Sequence, residues 1–377
     1  MTNTPVPDPD SAKPSAPEGS ELNAKAREIT DKVMRFADPE FPPIAVLRDM
    51  GVQQREAQLA DNDPGARMEE KFYAAVAMGS APLKAKYMVI DPDSLVAPDM
   101  VLPSLPQDFH ELQRVIHDES RSANDLAKVI AKSPALATVL LRLVNSAFYS
   151  LASKVDTISR AVAVVGTRQL TYLALGTTVM NVFQHIPQEL VDLNSFWKHS
   201  IAVGVTSRLL AEASGLGNGE RYFTAGLLHD IGRLMLLNFL PKAAKSAFYL
   251  ARRNRILLHY AELDVVNYDH ASLGCVAMRR WNLPESLTQA ALFHHAPEIH
   301  NNIAEAAVIH VADSACRALN WGVSGEFFMP PIKHQAWDSL KLSAQDLREV
   351  LIKAEEQTQP LFTLLTQTPR AELPSRS

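Results

Sequence analysis

Apolar residues recur at intervals of three and four along most of this chain, and this period restricts the fold to packed α-helices. The pattern is present between residues 21 and 37, and it dominates the long apolar stretches beyond residue 100. The longest of these stretches are SPALATVLLRLVNSAFYS, FWKHSIAVGVTSRLLAEASG, RYFTAGLLHDIGRLMLLNFL and IAEAAVIHVADSACRALN. No segment repeats at a fixed length, which argues against a helical repeat array. We therefore predict an all-α chain.

Capping residues mark several of the predicted helix ends. Ser122 precedes ANDLAKVIAK as a candidate N-cap, and Ser133 precedes a proline at the first position of the next helix. Gly166 separates two helices between residues 158 and 175, and Ser343 is the N-cap of the last predicted helix. KYMVI, residues 86–90, is the one convincing strand candidate.

The charge balance narrows the class of partner. Lys plus Arg number 37 and Asp plus Glu number 42, so the formal net charge is −5. A chain with this balance is not typical of proteins that bind nucleic acid through a broad basic surface. A transcription factor that acts through a local basic face is a third interpretation, but the sequence contains no helix-turn-helix signature.

Signals for membranes and secretion are absent from the sequence. Charged residues interrupt every apolar run before the roughly 20 residues that a membrane helix needs, and the N terminus lacks the pattern of a signal peptide. The two cysteines, Cys275 and Cys316, cannot build a disulfide framework, which fits a reducing compartment. We predict a cytoplasmic protein that does not bind membranes.

The ends of the chain differ from its centre. Residues 1–20 carry five prolines among polar residues, which predicts a disordered tail. Residues 21–98 are predicted to be a mostly helical accessory segment of unknown role, either a small module or a dimerisation arm. Residues 316–377 are predicted to form a C-terminal helical extension that ends in a frayed tail.

The dipeptide His229-Asp230 lies inside the apolar run AGLLHDIGRLMLL. A carboxylate there is costly to bury unless it is paired or bound to a metal. Eight of the twelve histidines fall between residues 199 and 310. The further candidate ligands, all on other predicted helices, are His199, His270, His294, His295 and Asp313.

Imidazole and carboxylate are ligands of divalent ions such as Zn, Fe, Mn and Ni, so we predict a site for one or two such ions. Glu262 is a candidate acceptor for the second ring nitrogen of His270. The alternative interpretation is a buried His–Asp pair in which each side chain satisfies the polarity of the other.

The order His199, His229-Asp230, Asp313 resembles the HD superfamily of metal-dependent phosphohydrolases. With His270 and His294-His295 added, the set is similar to the metal site of the HD-GYP cyclic-dinucleotide phosphodiesterases. The chain departs from that family at two places. Arg233 stands where HD-GYP enzymes carry a phosphate-contacting lysine, and no GYP segment follows FHHAPEIHNN.

A closer resemblance is to the HDOD family, the HD-related output domain of bacterial signalling proteins. It rests on blocks in the family's order, among them LPSLP, ISRAVAVVG, AGLLHDIGRL, DHASLGCVAMRRWNLPE and FHHAP. The resemblance implies a two-lobed helical domain over residues 99–315, with an N-terminal lobe at 99–185 and an HD-like lobe at 186–315. It also implies a regulatory role associated with cyclic-di-GMP signalling.

Two functions from different classes follow. The leading hypothesis is a bacterial signal-transduction protein that binds a signalling partner protein or a small ligand such as a nucleotide, without efficient catalysis. The alternative is a metal-dependent phosphohydrolase or phosphodiesterase acting on a cyclic dinucleotide. Whether the chain forms a homo-oligomer stays open.

In the enzyme hypothesis the candidate ligands divide into two groups. One ion is held by His199, His229, Asp230 and Asp313, and a second by His270, His294 and His295. Asp230 and Arg233 are the catalytic candidates, Asp230 as a bridging ligand and Arg233 as the group that steadies the phosphate. Two adjacent ions polarise a phosphoryl oxygen and generate hydroxide at neutral pH.

Overall fold

The computed structural model describes residues 19–74, 105, 107–118, 122–149, 151–183, 191–217 and 219–366. Within these ranges the regular structure is helical, which confirms the all-α prediction. The strand candidate at residues 86–90 lies outside them. The α-helices are α1 Gly19–Val33, α2 Pro42–Ala60, α3 Pro64–Ala74, α4 Gln107–His117, α5 Ala123–Ala131, α6 Pro134–Val144, α7 Ile158–Val165, α8 Thr167–Val182, α9 Leu193–Ala213, α10 Gly219–Leu228, α11 Ile231–Phe239, α12 Pro241–Asn254, α13 Leu258–Val266, α14 His270–Arg280, α15 Glu285–Leu292, α16 Ile303–Ala318, α17 His334–Leu340 and α18 Ala344–Thr366. A 3₁₀ turn, Pro297–Ile299, follows α15.

Several helix ends have the chemistry predicted for them. The hydroxyl of Ser122 accepts from the backbone N–H of Asp125, and the Asp125 carboxylate accepts from the N–H of Ser122, which makes a capping box. Ser343 and Asp346 repeat this exchange at the start of α18. Gly166 separates α7 from α8 and has a φ of 101°. Residues other than glycine rarely adopt this backbone conformation.

Two helix boundaries differ from what the sequence suggested. Helix α1 begins at Gly19, inside the segment predicted to be a tail. The stretch RYFTAGLLHDIGRLMLLNFL is two helices, because α10 ends at Leu228 and Asp230 is the N-cap residue of α11. The apolar period continues across this break, since side chains on both sides of it are buried.

Helix α9 is the central element of the fold. It packs against α10, α16 and α18, and most of its residues are buried. Helices α4 to α8 meet the helices that follow them where α8 packs on α10. The main hydrophobic cluster includes residues of α1 and α2, of helices from α4 to α16, and of α17 and α18, and a smaller cluster lies between α12 and α13.

A buried ionic network attaches the N-terminal helices to α16. The guanidinium of Arg55 on α2 lies 3.1 Å from the Glu69 carboxylate on α3 and donates to the carbonyl of Ala318 at 2.5 Å. Arg317 on α16 contacts the same Glu69 carboxylate at 2.9 Å. These three side chains are 1%, 8% and 3% exposed, so the pairing is shielded from water.

No helix among the described residues has both the length and the apolar content needed to cross a membrane.

We expect Glu69→Gln to lower the free energy of unfolding by about 3–5 kcal/mol, because it leaves two buried guanidinium groups without their shared carboxylate. Glu70→Gln on the same helix is the matched control. Glu70 forms partly exposed pairs with Arg67 and Lys25, so its loss should cost at most about 1 kcal/mol. Urea denaturation measures both variants, and equal effects would contradict the structural role given to the network.

Candidate metal centre

The structure brings all seven predicted ligands to one region of the molecule. His199 is on α9, His270 is the first residue of α14, and Asp313 is on α16. The other four lie outside the helices, contrary to the prediction. His229 and Asp230 form the turn between α10 and α11, and His294 and His295 lie in the turn after α15.

Helix ends set the orientation of two imidazole rings. The Nδ1–H of His229 donates to the carbonyl of Gly226 at 2.7 Å, and the Nδ1–H of His294 donates to the carbonyl of Ala291 at 2.5 Å. Each carbonyl lies three residues before its histidine, in the last turn of α10 or α15, where helix carbonyls have no partner within the helix. With Nδ1 occupied, each ring presents Nε2 to the centre.

Glu262 orients the ring of His270, as predicted. Its carboxylate accepts from the ring Nδ1–H of His270 at 2.6 Å and from the backbone N–H of the same residue at 2.9 Å. A carboxylate behind a histidine ring fixes the tautomer and raises the basicity of the opposite nitrogen, as it does behind metal-binding histidines.

Asp230 is the hub of the cluster. Its Oδ2 lies 2.8 Å from an Arg233 guanidinium nitrogen and 3.3 Å from Nε2 of His229. Its Oδ1 lies 3.2 Å from Nε2 of His270 and 3.9 Å from Nε2 of His294. Asp313 forms the other pole, with Oδ1 at 3.1 Å from Nε2 of His199 and 3.8 Å from Nε2 of His229.

These separations fit ligands of a divalent ion. Two imidazole nitrogens on one tetrahedral zinc lie about 3.3 Å apart, given bond lengths near 2.0–2.1 Å. Nε2 of His294 is buried and has no hydrogen-bond partner, which is the state expected of a nitrogen that binds a metal. Three groups of three, in each of which the ligand atoms lie within 4.8 Å of one another, together include all seven residues: His270, His294, His295; His199, His229, Asp230; and His229, His294, Asp313.

Burial and neighbouring charges shift the pKa values of the clustered side chains in different directions. Burial opposes ionisation of Asp230, but Arg233 and His229 outweigh it and hold the pKa of that carboxyl well below its usual range. Burial lowers the pKa of His294 to about 3, and the neighbouring histidines reinforce the effect. Burial also opposes protonation of His270, as does Arg233, but Glu262 and Asp230 raise its pKa to about 9.

Residues 320–333, between α16 and α17, pack against residues that surround the centre, and we call them the covering segment. Ser324 accepts a hydrogen bond from Arg233, and Lys333 donates its backbone N–H to Nε2 of His310 at 3.0 Å. The Glu326 carboxylate accepts from the backbone N–H of Leu258 at 2.7 Å. Gly322 lies so close to α9 that a Cβ there would be 2.4 Å from the backbone nitrogen of His199.

Sequence reasoning missed three residues around the ligands. His310 donates Nδ1–H to the carbonyl of His294, and the ring of His259 stacks on that of His295 with centres 4.1 Å apart. Glu326 is buried in the covering segment. A signal for two of them exists: Glu326 is an acid within an apolar run, like Asp230, and His310 lies one helical turn before Asp313.

A glycine permits the close contact of two helices that carry site residues. Gly232 follows the His-Asp pair on α11 and faces the first turn of α14. A Cβ at Gly232 would be 1.9 Å from the carbonyl oxygen of His270. Gly274, on the other side of this crossing, has more room, because its Cβ would meet its nearest atom at 3.2 Å.

A model of the HDOD domain family matches residues 102–297, which are 196 of the 377 residues. Asp313 and the covering segment lie beyond that match. An uncharacterised protein of Treponema pallidum (strain Nichols) is 30% identical over 202 residues, which are 52% of this chain and 39% of the relative. The chain therefore matches about two fifths of the length of that curated relative.

Solved structures share the fold. An HDOD domain protein of unknown function from Geobacter sulfurreducens superposes with a TM-score of 0.59 at 22% identity, over 71% of this chain and 93% of that one. A protein from Shewanella amazonensis SB2B, described as a "putative phosphohydrolase", superposes with a TM-score of 0.58 at 24% identity, over 70% and 95% of the two chains.

We expect Gly232→Ala to lower the free energy of unfolding by about 1–3 kcal/mol, because the new methyl group forces α11 and α14 apart. Gly274→Ala is the control at the same crossing and should cost less. Urea denaturation gives both values. The close packing assigned to Gly232 is wrong if the two variants are equally stable.

A second expectation concerns pH. Burial raises the pKa of Glu326 to about 7, so between its ordinary value of 4.5 and about 7 the folded protein binds more protons than the unfolded chain. This group therefore makes the free energy of unfolding fall as pH rises through that window.

Glu326→Gln removes this contribution. The unfolding free energy of the variant, minus that of the parent, should rise with pH by up to about 1.4 kcal/mol per pH unit across the window. Denaturant unfolding at intervals between pH 4.5 and 7.5 measures the difference. A difference that does not change with pH would show that Glu326 is ionised throughout.

Proposed function

The chain belongs to the HDOD family, and from this premise we propose that it is a bacterial signal-transduction protein of the cytoplasm. In this proposal the histidine–aspartate centre stabilises one conformation of the helical domain. The domain binds a signalling partner protein or a small ligand such as a nucleotide, and it does not turn over a substrate efficiently.

The burial of the whole centre is the observation that carries the proposal. None of the seven ligand residues is more than 7% exposed, and His229, His270 and His294 are 0% exposed. The covering segment lies against Arg233, which is itself in contact with Asp230. Because the donors are almost completely buried, a phosphodiester would reach them only after a movement of the surrounding chain, whereas a metal ion needs only the buried donors.

The donor set fits one or two divalent ions. His199, His229, Asp230 and Asp313 would hold one ion, and His270, His294 and His295 a second. Such an ion, when bound, supplies positive charge that neutralises the buried carboxylates and links several helices. Around it, Gly226, Ala291 and Glu262 orient the rings of His229, His294 and His270.

Phosphohydrolase activity on a cyclic dinucleotide is the second candidate. The specific observation in its favour is the complete set of seven converging donors, with Nε2 of His294 lacking a hydrogen-bond partner. In this reading Arg233 would leave Asp230 and bind the phosphate after the covering segment moved. Arg233 is 3% exposed and pairs with Asp230, so the proposal of a regulatory centre has the stronger support.

Metal analysis and a turnover assay on the same sample separate the two candidates. The full chain, purified without chelator, is analysed for bound metals and assayed with a cyclic dinucleotide and with bis-p-nitrophenyl phosphate. We expect turnover no greater than that of the His229→Ala/Asp230→Ala variant. We also expect bound metal to raise the melting temperature of the parent chain but not of the variant, since a ligand of the folded state alone stabilises it.

The variant must be shown by circular dichroism to be folded, since both substituted side chains are buried. Metal-dependent turnover by the parent chain that this folded variant lacks would overturn the regulatory proposal in favour of the enzyme.

A further inference from the structure

An unusual run of charge follows the His-Asp pair. Residues 231–261 contain no Asp or Glu, although the chain has 42 such residues. The same stretch contains six cationic side chains, and Arg233 is the one that enters the buried centre. The other five lie on α12 or directly after it: Lys242, Lys245, Arg252, Arg253 and Arg255.

Helix α12 presents these cations on one side. It buries Ala244, Ala247 and Ala251 against the domain, while Lys242, Lys245, Arg252 and Arg253 are exposed. Tyr249 lies among them and is 62% exposed. We name the exposed side the α12 face, consisting of Lys242, Lys245, Tyr249, Arg252 and Arg253.

Three cations of the α12 face, Lys242, Lys245 and Arg253, have no carboxylate partner within the described part of the chain. Cations at the C-terminal end of a helix interact favourably with its dipole, which explains Arg252 and Arg253. It does not explain Lys242 and Lys245, which lie in the first half of α12.

Exposed apolar groups accompany the charge. Phe239 and Leu240, just before α12, are 36% and 38% exposed, and Tyr249 adds an exposed aromatic ring. Tyrosine and arginine are the residues that protein interfaces favour, because they combine contact area with hydrogen bonding. Tyr249, Arg252 and Arg253 are thus residue types that interfaces favour, and the two lysines add positive charge that attracts an acidic partner.

We propose that the α12 face docks an acidic segment of a partner protein. The inference names the docking surface of the regulatory protein proposed above and rests on that proposal. Acidic side chains pair with Lys242, Lys245 and Arg253, and an apolar residue of the segment packs on Tyr249.

The overall charge favours a short acidic segment over an extended polyanion. Removing the five cations of residues 242–255 from the net charge of −5 leaves −10 for the rest of the chain. Nucleic acid or an anionic membrane extends beyond the α12 face and meets this negative remainder, whereas a peptide contacts the cations alone. Screening confines the attraction to about 8–10 Å at physiological salt, which suits a local contact.

The α12 face is also adjacent to the covering segment. The guanidinium carbon of Arg252 lies 4.9 Å from the ring centre of Phe327. The residue after Phe327 is in contact with another arginine: the guanidinium carbon of Arg35, just after α1, lies 5.5 Å from the ring centre of Phe328. A partner on the α12 face thus contacts a helix that touches the covering segment.

The test uses a short fluorescent peptide of alternating Glu and Gly, titrated with the full chain while anisotropy is measured. The variant is Lys242→Glu/Lys245→Glu/Arg253→Glu. Its control, Lys128→Glu/Lys154→Glu/Lys353→Glu, changes three exposed lysines elsewhere and alters the net charge equally. A single-stranded oligothymidine and vesicles of phosphatidylcholine with phosphatidylserine are titrated in parallel.

We expect the parent chain to bind the peptide at low salt, the α12 variant to bind it about tenfold more weakly, and the control variant to lose less than about threefold. Equal losses in both variants, or no peptide binding by the parent, would overturn the proposal. So would tighter binding of the oligonucleotide or the vesicles that depends on the α12 cations. All these results are independent of metal content and turnover, so the docking surface can fail while the regulatory function stands.

Discussion

The burial of Asp230 is the constraint on which the rest of the domain depends. A carboxylate that is 1% exposed must be compensated on every side, and the chain does this with Arg233 at 2.8 Å and imidazoles at 3.2–3.9 Å. Those imidazoles in turn need acceptors behind them, which helix carbonyls and Glu262 provide. The centre is therefore a connected set in which each polar group fixes the orientation of the next.

Local sequence patterns predict the helices well, and they point to the histidines and carboxylates that the fold brings together. Caps such as Ser122 and Ser343 act through residues three positions away, so a single sequence displays both partners. The break at His229-Asp230 could not be seen in this way, because its flanking residues are buried and keep the helical period. The covering segment was missed for another reason: Ser324 meets Arg233 across 91 positions, and no local pattern encodes that contact.

The family match and the structural unit differ in extent. The match ends at residue 297, yet Asp313, Glu326 and the Arg55–Glu69–Arg317 network all contribute buried polar groups to the same structure. Helices α1, α2 and α18 share the main hydrophobic cluster. Helices α2 and α3 belong to the segment that the sequence suggested to be accessory. They are in contact with α16, the helix that carries Asp313.

The interruption between α10 and α11 has an electrostatic consequence. A continuous helix would carry its macrodipole past this point, with no exposed end. Two helix ends of opposite polarity instead meet at adjacent residues: the positive end of α11 at Asp230 and the negative end of α10 at His229. The negative end of α15 likewise lies at His294. The backbone itself thus polarises the centre, favouring an anion at the carboxylate and donors or cations at the two rings.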